Sequence, residues 1–128
     1  MYIFTLGTDV EKVVRALRSQ YGEFALAILY NDALEAASGW NLIVSAPWTD
    51  KMGIAEATRV IARALNQGLE SENQRAISRI TVLKSSDPFV RDMTKLYPVT
   101  DGPVPIGQVT AGEITEGSGF VFHSQMVA

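Results

Sequence analysis

Apolar positions recur along the chain in two rhythms, and the switches between them mark the elements. Val10, Val13, Val14, Leu17 and Tyr21 return at three- and four-residue spacing with Lys12, Arg15 and Arg18 between them, which is the pattern of a helix with one face in a core. Thr8-Asp9-Val10-Glu11 has the spacing of a capping box, so the pattern predicts a helix start at Thr8 and a stop at Gly22.

The rhythm then disappears. FALAILY (Phe24 to Tyr30) and WNLIVSA (Trp40 to Ala46) are short runs with almost no polar residue, as expected for strands covered on both faces. The stretch between them, Asn31 to Gly39, is too short for a crossover helix, so the two strands are expected to pair antiparallel.

Helical spacing returns after Pro47-Trp48. Thr49 or Asp50 is expected to cap a second helix, with Ala57, Val60, Ile61, Ala64 and Leu65 as its stripe and Gly68 as its end. The polar stretch ESENQR reads as a connection, and ISRITVLK alternates Ile80 and Val82 with Arg79 and Thr81, as a half-exposed strand does. A strand–helix–strand order makes this strand and the second one parallel neighbours or near neighbours, with a right-handed connection. Ser86-Asp87-Pro88 supplies a cap followed by proline at the first helical position, and Phe89, Val90, Met93 and Leu96 or Tyr97 give a short third helix its apolar face. From Val99 the texture turns rich in Gly, Pro and Thr, predicting short strands joined by turns, with Gly117-Ser118-Gly119 as a hairpin turn. The expected fold is α/β, with α+β as its alternative: one domain over residues 1–128, a mixed sheet of about five strands, three helices and a β-rich C-terminal segment.

Composition narrows the classes of function. Among 128 residues there is no cysteine, which excludes disulfides, thiolate metal sites and cysteine nucleophiles. A net charge of -3 lacks the basic excess that phosphate neutralisation requires, so neither nucleic acid nor an anionic membrane is an expected partner. The N-terminal segment has no signal-peptide pattern and no window approaches a membrane span; a cytoplasmic location is expected.

Candidate chemistry is sparse. Trp40 and Trp48 flank the second strand, and an aromatic just past a strand's carboxyl end stands where open α/β sheets hold ligands. Their ordinary role as core residues is the competing one. Asp50 joins them as a weak binding candidate, although helix capping already accounts for Asp50 and Asp87 and a turn accounts for Asp32. With Asp92, these carboxylates form no pair at the short spacing of a metal or acid/base site. His123 is the only histidine, which removes multi-histidine zinc patterns and reads as a strand residue. Arg59 and Arg63, with Glu56, read as a solvated face. No catalytic residue, metal or cofactor is expected.

The order helix, strand, strand, helix, strand, helix is similar to that of the nucleotidyltransferase superfamily, over roughly Thr8 to Leu96. That family carries Gly-Ser at the end of its first strand and Asp-x-Asp on its second, which hold a nucleotide triphosphate and magnesium. Here those places read Tyr30-Asn31-Asp32 and Trp40-Asn41-Leu42, and neither Trp40 nor Leu42 offers the carboxylate oxygens that a hard cation requires. The resemblance implies a shared order of elements without the metal-dependent activity, and it does not extend to membership. The function expected from the sequence is a non-catalytic domain acting through self-association, as a homodimer, or through a protein partner. The alternative is a nucleotidyltransferase-like domain that binds a nucleotide.

Overall fold

The computed structural model describes residues 2–31, 39–100, 102–106 and 118–125. Its elements run α1 (Tyr2–Tyr21), β1 (Leu26–Asn31), β2 (Trp40–Ser45), α2 (Pro47–Met52), α3 (Ile54–Gly68), α4 (Ser71–Ala76), β3 (Ile77–Val82), α5 (Pro88–Leu96), β4 (Val104–Ile106) and β5 (Ser118–Ser124). Four strands of six or seven residues and the three-residue β4 form one mixed sheet in the order β3-β2-β1-β5-β4. β1 lies antiparallel to β2 and to β5, and only β2 and β3 run parallel. The architecture is therefore α+β.

The two apolar runs lack alternation because helices cover both faces of the sheet. Ala27, Leu29, Leu42, Val44, Phe120 and Phe122 pack in one cluster with Leu6, Val10, Val13, Val14 and Leu17 of α1 and Ala57, Ile61 and Leu65 of α3. Leu26, Ile28, Tyr30, Ile43 and Val121 turn the other way, against Val90 and Met93 of α5. Successive strand residues point to opposite faces, so a strand sandwiched between helix layers is apolar at every position.

Among the described residues five helices stand where three were expected. The helix predicted to start at Thr8 begins at Tyr2, which puts Thr8 and Glu11 inside it; Glu11 pairs with Arg15 at 3.3 Å on the surface instead of capping. Where α1 passes β5, Gly7 lies against the Phe120 ring, which would stand at ordinary contact distance, 3.4 Å, from a Cβ at that position. The second predicted helix is two, broken at Gly53, whose φ of +94° is a glycine conformation. Its cap is neither Thr49 nor Asp50. The residue at N-cap is Ala46, and Thr49 serves it from inside the first turn: the Thr49 hydroxyl accepts from the Ala46 amide at 3.0 Å and lies 2.9 Å from its carbonyl.

The stretch read as a connection, ESENQR, holds all of α4 but its last residue, Ala76. Its support is long-range: the Asp9 carboxylate accepts from the Asn73 side chain at 2.8 Å and from the Glu70 amide at 3.2 Å. At α5 the reading from sequence agrees in detail, with Asp87 accepting from the Phe89 amide at 2.8 Å ahead of Pro88. Ser118 and Gly119, read as part of a turn, are strand residues of β5, while Gly117 lies outside the described residues. No helix among the described residues is long and apolar enough to cross a membrane.

Candidate functional site

β2 and β3 end side by side, and the chain leaves both into helices. After Ser45 it turns through Ala46 into α2; after Val82 it runs through Ser85 and Ser86 into α5. Parallel strands that diverge into separate helices leave a crevice outside their carboxyl ends. Here that crevice is an open cleft of about 920 Å³, within the range of small-molecule sites.

Its walls come from both exits. Pro47, Asp50 and Lys51 of α2 stand on one side, Ser85 and Ser86 of the β3–α5 loop and Arg91, Asp92, Thr94 and Lys95 of α5 on the other, with Ala25 and Gln125 between them. Asp50 braces the two sides. Its carboxylate accepts from the Ser85 amide at 3.1 Å and from the Ser85 hydroxyl, so the loop ahead of α5 is held against the first turns of α2. Thr94 is likewise engaged, donating to the Arg91 carbonyl at 3.0 Å.

Lys51, Arg91 and Lys95 are exposed and form no salt bridge among the described residues, and the exposed Ser86 adds a hydroxyl. A guanidinium and two ammonium groups around one recess supply donors of the kind that form charge-assisted hydrogen bonds to carboxylate or phosphate oxygens. Two carboxylates, Asp50 and Asp92, also line the cleft and leave its lining one net positive charge; the Asp50 carboxylate is engaged by Ser85.

Of the three sequence candidates, only Asp50 lines this cleft. Trp40 is buried in the core at 7% exposure, its ring centroid 6.1 Å from that of Phe120. Trp48 is half-buried outside the cleft, stacked on Tyr21 at 4.8 Å and edge-on to Phe24 at 5.5 Å. Sequence reasoning passed over Arg91, Lys95, Lys51 and Ser86 because they are ordinary surface residues in sequence. The signal that brings them together is the parallel pairing of β2 with β3, which places the two exits at one end.

The places that correspond to nucleotidyltransferase motifs lie at the other end of the sheet. Tyr30 pairs with Asn41 there, while Leu26 pairs with Ser45 near the cleft. One strand length, about 17–20 Å, separates the two ends. The Asn41 side chain accepts from the Thr81 hydroxyl at 3.0 Å and Asn31 donates to the Gly39 carbonyl at 3.3 Å. Asp32 falls outside the described residues.

His123 forms a separate cluster at the end of β5. It is buried, with Nδ1 3.0 Å from the Thr100 carbonyl; a carbonyl only accepts, so Nδ1 carries the proton of the neutral ring. Nε2 stands 3.4 Å from Glu23, whose carboxylate is already held by Arg18 at 3.1 Å. Burial, and then the Arg18 charge, push the His123 pKa below 6.5 against the smaller opposing pulls of the Thr100 carbonyl, Glu23 and Gln125. Glu23 is exposed and shared, which weakens its hold on the imidazolium.

Comparison with protein-family models, with curated proteins and with solved structures finds no match to this chain.

Proposed function

We propose that the protein is a binding module that takes a small anionic ligand in the cleft between α2 and α5. The observation that carries this reading is that Lys51, Arg91 and Lys95 all line one cleft of about 920 Å³ in a chain whose net charge is -3. Each hydrogen bond from such a group to a charged oxygen contributes roughly 1.5–3 kcal/mol. The Asp50–Ser85 brace supports the same reading, since it holds the two walls at a fixed spacing before a ligand arrives. Asp50 acts here as a positioning residue.

The test is a thermal-shift panel of inorganic phosphate, citrate, ADP and ATP, the nucleotides with and without magnesium, on the full chain. A ligand at a hundred times its Kd adds about 2.7 kcal/mol of stability, an easily read rise in Tm. The expected result is stabilisation by at least one anion, weakened by salt and lost in Arg91→Gln. A response to nucleotides that requires magnesium and survives Arg91→Gln favours the nucleotidyltransferase-like alternative. No shift with any member removes the anion-binding reading.

A further inference from the structure

We infer that the outer edge of β3 is a docking edge for an extended, acidic segment of a partner protein, added to the sheet as a further strand. This surface is independent of the cleft. β3 ends the strand order and pairs only with β2, so among the described residues the other side of its backbone ladder has no strand partner. Such an edge presents a row of backbone donors and acceptors, and adding a strand is a recurrent mode of peptide recognition.

Side chains along the edge specify what it takes. On the α3 face, half-buried Ile77 and Ile80 line a recess of about 90 Å³ with Ala62, Leu65 and Leu69, and with the polar Asn66 and Gln74 at its side, room for one small side chain. The register shift between Trp40 and Asn41 lets Ile77 and Ile80, three residues apart, serve the same face. On the strand itself Arg79 is exposed, with exposed Arg75 before it and Lys84 after it, and none of the three forms a salt bridge among the described residues. Because side chains alternate between faces beyond the bulge, a docked strand meets the Ile80 side of the edge and Arg79 at alternate positions. The complementary sequence alternates small aliphatic with acidic residues.

A second copy of this chain fits the edge poorly. A second β3, ISRITV, offers no carboxylate to Arg79 and brings its own cation to the edge, and like charges brought together across a strand pair destabilise it. A positively charged edge of this kind also discourages indiscriminate strand addition while admitting an acidic strand.

The experiment is a fluorescence-anisotropy titration of the full chain with two labelled octapeptides, one alternating valine and glutamate and the other valine and lysine, together with amide hydrogen exchange. The acidic peptide is expected to bind and to slow exchange across Ile77–Val82, and the lysine peptide to bind at least roughly tenfold more weakly. The exposed Arg79→Glu variant, checked for an unchanged Tm, is expected to reverse that preference. Failure of the acidic peptide to bind, binding indifferent to Arg79→Glu, or a dimer that already protects β3 without peptide would each overturn the inference.

Discussion

Trp40 and His123 show how single residues couple the sheet to its surroundings. Trp40 opens β2 and is buried against Phe120 of β5, so it ties strands that do not pair directly. Trp40→Ala removes that area and leaves a cavity; the expected cost is about 3–5 kcal/mol in urea-unfolding measurements, set against a total of about 5–15 kcal/mol for a domain. His123 makes stability depend on pH. Its folded pKa is below 6.5, so between the two values the unfolded chain binds more protons than the folded one, and stability rises with pH. Unfolding midpoints should therefore fall as pH drops below about 6.5, and His123→Gln should flatten that part of the profile. A wild-type profile that strengthens toward acid would contradict the assignment of burial over Glu23 as the dominant influence.

At the scale of elements, what could be read from the sequence was what local chemistry decides. β1 and β2 announce themselves as apolar runs, and α5 through Asp87 and Pro88, because a covered strand and a capped helix leave their marks within a few residues. The first turns of α1 and all of α4 were illegible. Gly7 is a weak helix former within those turns; SENQR has no apolar stripe, and its helix is held by Asp9 across more than sixty positions. The break between α2 and α3 rests on Gly53, where a Cβ would meet nothing within 4 Å, so a substitution there is resisted by backbone conformation alone. Gly53→Ala is expected to cost about 1–3 kcal/mol in thermal or denaturant unfolding. A neutral or stabilising result would show that the two helices join without loss.

At the scale of the molecule, the cleft was legible only in part. Asp50 could be singled out from its position after a strand, but its neighbours across the cleft are supplied by a chain segment some forty residues later, and only the β2–β3 pairing unites them. Helices on both faces leave the strand ends and the outer edges of β3 and β4 as the places where the described sheet meets its surroundings. The central claim is that the end bearing Lys51, Arg91 and Lys95 binds anions. Its most direct test is a titration of the isotopically labelled protein with inorganic phosphate at constant ionic strength, followed by amide chemical shifts. The prediction is saturable shifts confined to the neighbourhood of Lys51, Ser85, Ser86, Arg91 and Lys95, abolished in Arg91→Gln. Shifts that are absent, spread evenly over the chain, or concentrated at the Asn31–Trp40 end of the sheet would contradict it.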